Sequence, residues 1–481
     1  MALFEQVDGN SWEDSMSRSD QLSSDRRLRR RPDVVAVLAL LLSMVAGAGF
    51  ATAGTAAQAE TSFRFAFWGD PAEQEAYEAV IAGFESEHPE IDVVADYTPG
   101  QNDFYRKVST DFAGGDPPDL FLINNRQFGQ YAAAGALEPV QSYLDASTAI
   151  AAEDYAQISM DAFKYKGVEQ TCMPQNVSSL VVYYNQDMFE AAGVPLPTDG
   201  WTWDEFVAAA QALTVDTDGD GAIDQYGVAV EPVMYRMVSF VWSAGGEIVD
   251  DIDNPTSLTL DSPEALDGLE KFISLGVNGY GVVPTEEEVA AEDDGTRFMR
   301  GGAAMFLQSR REVPTLREIE GFTWDVAPLP VINEAATVLH SDAFCMASAS
   351  ESKDAVWEFV EYAVGESGQT ILTETGRLVP ALDSVAQSDV FLKGIPADAE
   401  EGGEGAPPAS SQVFLDNVDI MHRLPSISTW PEVEDAFNAE FDRAFYEPID
   451  IPAAVEAAMA NSKDAFDRAA AEGQSQATPV I

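Results

Sequence analysis

Basic residues are the scarcest resource of this chain. Its 481 residues hold 26 Lys and Arg against 82 Asp and Glu, a formal net charge of −56. Binding nucleic acid requires a basic face that neutralises phosphates, and this composition argues against one. It argues equally against an anionic membrane surface. So much negative charge favours solubility and strains the compact state by self-repulsion. External salt would screen that repulsion, so a saline habitat is expected. Histidine is nearly absent: His88, His340 and His422 lie far apart, which gives little support to a His-based metal site or catalytic triad. Two cysteines, Cys172 and Cys345, sit in apolar, strand-like runs. They could pair in an exported chain or remain buried thiols. No Ser-His-Asp set, phosphate-cradling glycine loop or Cys/His metal spacing occurs, and no internal repeat.

Long apolar runs are also rare, with one exception. Arg26-Arg27-Leu28-Arg29-Arg30-Arg31 precedes an apolar, small-residue-rich run from Val34 to Phe50, and Ala57-Gln58-Ala59 follows. This is the layout of a signal peptide over 1–59, cleaved near Ala59. A membrane anchor would need a longer run. The expected mature chain is exported to the periplasm or extracellular face, soluble and without a stable membrane anchor.

Hydrophobic residues make up 46% of the chain, enough for two cores of ordinary size. Phe63, Phe65 and Phe67 alternate like one face of a first strand, which Gly69-Asp70-Pro71 breaks to start a helix. Strands at about 91–94 and 119–123 alternate with further helices. The alternation predicts an α/β layer structure with largely parallel strands. Ligands bind such sheets beyond the carboxyl ends of the strands. Trp68 and Asp70 fall at that rim, as do Asn124, Asn125, Arg126 and Gln127.

The central stretch runs from Cys172 to Gly193. Pro174, Gln175, Asn176 and Ser178 make it polar at the start. An apolar run from Leu180 to Tyr184 follows, which reads as a strand buried on both faces. Asn185 then opens a helix that Gly193 ends. A polar segment beside a proline suits a crossing between two lobes. Further strand ends carry Glu231 and the run Gln308-Ser309-Arg310-Arg311, and Gly376-Arg377-Leu378-Val379-Pro380 reads as a second crossing. Trp242 closes an apolar helix, and Trp430-Pro431 opens another. Planar polar groups with aromatic faces suit a carbohydrate. A secreted glycosidase would need two carboxylates held close together.

A separate acidic loop, Asp216-Thr217-Asp218-Gly219-Asp220-Gly221-Ala222-Ile223-Asp224, places oxygens at positions one, three, five and nine with Gly at six. That matches a calcium loop, except that Gly227 stands where the bidentate Glu belongs. The loop is either a Ca2+ site built from Asp216, Asp218, Asp220 and Asp224 or a plain acidic turn. No other cofactor is expected.

Four segments together resemble the maltodextrin-binding-like solute-binding proteins that serve ABC importers. They are Phe67-Trp68-Gly69-Asp70; Asp119-Leu120-Phe121 with Phe128-Gly129-Gln130-Tyr131-Ala132; the central stretch with Tyr183-Tyr184-Asn185 and Phe189; and Gly302-Ala303-Ala304-Met305-Phe306 with Phe359-Val360-Glu361. The resemblance implies a two-lobed α/β fold of the type II periplasmic-binding-protein class. Each lobe is a mixed sheet flanked by helices, joined by hinge crossings. The first lobe would take 60–175 and 329–378, the second 176–328 and a helical 379–472, with a loose tail over 473–481. The implied activity is binding, not catalysis: a monomer closes on a sugar or oligosaccharide and delivers it to a membrane permease. By the same resemblance Asp70, Asn125, Arg126, Gln127 and Glu231 face the sugar and Trp430 stacks on it, while Ser178 replaces an acid and Arg311 an aromatic. Arg126, Arg310, Arg311 and Arg377 leave an anionic ligand, a uronate or a glycerophosphodiester, as an alternative.

Overall fold

The computed structural model describes residues 61–397 and 405–476, with side chains to 472. The expected signal peptide lies outside them. No helix among the described residues is long and apolar enough to cross a membrane.

The first lobe is built on a five-stranded sheet of order β2-β1-β3-β11-β4. Its strands are β1 (Thr61–Trp68), β2 (Ile91–Thr98), β3 (Leu120–Asn124), β4 (Met173–Pro174) and β11 (Asp342–Met346). β1, β2 and β3 pair in parallel; β11 runs the opposite way and pairs antiparallel with both β3 and β4. The expected alternation in β1 holds: Phe63, Phe65 and Phe67 enter one core with Tyr77, Val80 and Phe84 of the helix Pro71–Glu87. Burying each such phenylalanine contributes about 1.5–3 kcal/mol. That helix starts where it does because Asp70 and Glu73 form a reciprocal cap and Pro71 occupies its first turn.

The second lobe carries the sheet β7-β8-β6-β9, from β6 (Val181–Asn185), β7 (Tyr226–Ala229), β8 (Ala303–Gln308) and β9 (Trp324–Ala327). All five residues of β6 are buried, as an unbroken apolar run predicts. The helices Trp203–Ala212, Met234–Ser243, Pro263–Ile273, Trp430–Phe441 and Ile451–Gln476 contribute to the second core. The last one continues past residue 472, so the tail expected to be loose from 473 begins as helix.

Three chain crossings join the lobes and lie side by side. The first runs from β4 through β5 (Ser178–Ser179) into β6. The second is β10 (Thr337–His340) leading into β11, and the third is Gly376–Leu382. β5 pairs with β10, Ser178 opposite His340, and β10 pairs with β12 (Met421–His422). The Val177 amide donates to the Val379 carbonyl at 2.9 Å. A disulfide joins Cys172 to Cys345, so the thiol alternative falls away. The third crossing departs from the expected boundary at 379: Ala381, Leu382 and Val385 pack into the first-lobe core.

Candidate functional site

A cleft opens between the lobes, over the crossings. Trp68 at the end of β1, Asn124 at the end of β3 and Arg126 in the first turn of the helix that follows form the first wall. Tyr235 and Arg236 on the helix Met234–Ser243, with Gln308, Ser309 and Arg311 after β8, form the second. Gln175, Asn176, Ser178, His340, Asp342 and Arg377 come from the crossings. The parallel strands β1, β3 and β8 all point their carboxyl ends here, as the α/β rule requires.

The first wall is knitted together. Trp68 packs on Phe104 and Tyr105 with ring centroids at 4.8 and 5.4 Å. The Asn124 side chain donates to Asp342 at 2.9 Å, and the Asp342 amide donates to the Asn176 side chain at 2.7 Å. The Tyr77 hydroxyl donates to Gln175 at 3.0 Å. Arg377 pairs with Asp70 and with Glu73, both at 2.5 Å. Burial pushes the Glu73 carboxyl up to about 7 against the pull of Arg377, and Asp70 and Asp342 add to the rise. Burial likewise raises Asp342, with the Asn124 hydrogen bond and Arg377 opposing.

The second wall is looser. The Tyr235 ring carries the Arg126 guanidinium at 4.5 Å and that of Arg236 at 4.7 Å, a geometry of cation–π attraction. Arg126, from the first lobe, also reaches Glu434 of the second at 3.3 Å. Arg236 is buried, and one of its terminal nitrogens reaches Glu231 at 3.5 Å. Its Nε and Nη1 have no hydrogen-bond partner among the described residues, nor has Nε2 of His340. Burial, and then Arg236, Arg126 and Arg311, hold the imidazole well below its usual range, so it is neutral.

Of the residues expected to face a ligand, Trp68, Asn124, Arg126, Gln175, Asn176, Ser178, Arg311 and Arg377 line this cleft. Others do not. Trp430 is fully buried and donates its indole N–H to Glu434 at 3.0 Å. It therefore orients a partner of Arg126 and offers no stacking face. Trp242 is buried and stacks on His422. Arg310 is buried against Phe391 and Phe414 and donates to the Gly376 carbonyl at 2.9 Å. Asn125 is buried and donates to the Leu339 carbonyl at 3.4 Å. Gln127 bonds Gln130 at 2.6 Å on its own helix. Asp70 serves as the helix cap and Arg377 partner, and Glu231 lines an adjoining acidic pocket.

Glu73, Tyr77, Gln101, Tyr235, Arg236, Gln308, His340 and Asp342 line the cleft without having been singled out. Gln308 belonged to a strand end that was recognised. Tyr235 and Arg236 follow the strand end at Glu231, the one signal that could have found them. Nothing local marks His340 or Asp342, because their role comes from the second crossing.

The acidic loop is exposed and separate from the cleft. Carboxylate oxygens of Asp216, Asp218 and Asp224 lie within 4.8 Å of one another. Asp216 accepts the Gly219 and Gly221 amides, and Asp224 accepts that of Thr217. Asp220 accepts from Ala222 and stands outside the cluster.

Comparison with known proteins fits this geometry. The family model for bacterial extracellular solute-binding proteins matches residues 68–370. The maltotriose-binding protein of Pyrococcus abyssi is 23% identical over 298 residues, 61% of this chain and 60% of that one. The diacetylchitobiose-binding protein of Streptomyces coelicolor is 24% identical over 350 residues, 69% and 73% respectively. An ABC substrate-binding protein of Listeria monocytogenes in complex with cycloalternan superimposes with a TM-score of 0.73 at 25% identity. That match covers 85% of this chain and 98% of the other.

Proposed function

The chain belongs to the bacterial extracellular solute-binding protein family, whose members bind substrates and are not enzymes, and from that premise we propose that it captures a sugar or polyol for an ABC importer. The ligand enters between the lobes, hinge bending closes them over it, and the closed form presents it to a membrane permease. One observation carries the reading: polar groups from both lobes and all three crossings converge on one cleft beside the aromatic faces of Trp68 and Tyr235. Amides and guanidiniums bond hydroxyls, and aromatic faces cover C–H surfaces. The maltotriose-binding and diacetylchitobiose-binding relatives and the protein in complex with cycloalternan support it, an oligosaccharide in each case.

A thermal-shift panel of neutral sugars, polyols, uronates and glycerophosphodiesters is the test. At least one member should raise the melting temperature, and small-angle scattering with it should show a more compact particle. No shift with any member would defeat the reading.

A further inference from the structure

The charged lining of the cleft holds more arginines than carboxylates, although the chain as a whole is acidic. Its charged lining consists of four arginines, Arg126, Arg236, Arg311 and Arg377, and two carboxylates, Glu73 and Asp342. The whole chain spends only 26 basic residues on 481 positions, so four guanidiniums at one cleft demand a reason. Neutral hydroxyls do not supply it, since amides and single carboxylates bond them as well. Bidentate recognition of an anionic group does.

The four arginines differ in what they have left to give. Arg377 is held by Asp70 and Glu73, and Arg126 by Glu434. Arg236 and Arg311 separate the cleft from the adjoining pocket, where Glu231, Asp293, Asp294 and Glu312 lie. Those acids hold each guanidinium from behind: Glu231 meets Nη2 of Arg236 and Glu312 meets Nε of Arg311, at 3.2 Å in the latter pair. Nη1 and Nε of Arg236 remain without a partner. The side chain of Arg311 is 61% exposed, and Glu312 meets it at Nε. His340, opposite Ser178 on the crossing, adds an unpartnered Nε2 and no carboxylate.

Resting on the sugar reading above, we propose that the ligand is an anionic sugar whose acid group seats between Arg236 and Arg311 beside His340. The ring then lies against Tyr235 and reaches the amides of the first wall. A carboxylate and a phosphate group share this chemistry.

Calorimetric titration of the full chain at low salt tests it with galacturonate, galactose and a hexose phosphate, then with their disaccharide counterparts. An acidic member should bind more tightly than its neutral partner, and added salt should weaken it. Arg311→Gln, at an exposed side chain, should weaken the acidic ligand about 10–100-fold, the range for a lost charged hydrogen bond, and weaken the neutral one by far less. Arg236→Gln should act in the same direction. If the phosphate outbinds the uronate, the acid group is a phosphoryl and the assignment stands. Equal affinity for acidic and neutral partners, or indifference to Arg311→Gln, overturns the inference while the sugar reading survives. If neither kind binds, both fall.

Discussion

The two walls of the cleft are made of similar residues and use them differently. On the first wall and the crossings beside it, long polar side chains are committed: Asn124 to Asp342, Gln175 to Tyr77, Arg377 to Asp70 and Glu73. On the second wall and the crossing beside it, Arg236 and His340 keep nitrogens without partners among the described residues, and Arg311 is exposed. A committed wall resists deformation and adds stability. An uncommitted wall gains its hydrogen bonds only when a ligand supplies them. Substitutions should therefore separate: those on the first wall cost folding, those on the second cost binding.

The largest expected effect comes from the first wall. Arg377→Met leaves Glu73, with a side chain 17% exposed, beside Asp70 and without a cation. Stranding a buried carboxylate costs about 3–5 kcal/mol, readable by denaturant unfolding. A loss below ~1 kcal/mol would erase the contrast between the walls. Next is the disulfide, which ties the start of the first crossing to β11 across 173 residues. Its removal in Cys172→Ala/Cys345→Ala should cost about 2–4 kcal/mol; an unchanged melting temperature under reduction would mean the crossings hold register without it.

The pH response sharpens the same wall. Glu73 faces Asp70, Arg377, Asp342 and Tyr77, and its folded pKa of about 7 exceeds its ordinary value of 4.5. The folded state then holds the proton more tightly than the unfolded state. This group's contribution is fully present below about 4.5 and is lost as pH rises through about 7. Acidification also relieves the chain's general repulsion, so the comparison must be with Glu73→Gln. That variant should show a flatter rise in melting temperature on going from pH 8 to about 5.5; parallel curves would contradict the assignment. On the second wall Arg311→Gln should change stability by no more than ~0.5 kcal/mol, as at other exposed sites. Smallest of all, calcium at the acidic loop should raise the melting temperature slightly through Asp216, Asp218 and Asp224. A calcium response that persists in Asp218→Asn would place the ion elsewhere.

Sequence patterning reached far into the fold because the fold there is local. Alternating phenylalanines made β1, an unbroken apolar run made β6, and Asp70 capped the helix its position announced. It reached the first wall of the cleft for the same reason, since Trp68, Asn124 and Arg126 sit at the ends of strands that sequence can mark. It failed where exposure is decided by partners distant in the chain. The resemblance makes Trp430 a stacking face, but it is buried with its indole N–H on Glu434, and Trp242 is buried against His422. Arg310 and Arg311 are neighbours with one chemistry; one is buried beneath Phe391 and Phe414, the other opens to the cleft. His340 and Asp342 acquire their place only when the second crossing is laid against the first.

Tyr235 gives the most direct test that the cleft is the binding site and that its looser wall carries the affinity. Calorimetric titration of Tyr235→Ala with the strongest ligand from the thermal-shift panel should show an affinity loss of about tenfold or more, from a lost aromatic platform and a released Arg236, while the melting temperature stays close to that of the parent. Undiminished affinity in a folded Tyr235→Ala protein would contradict the account.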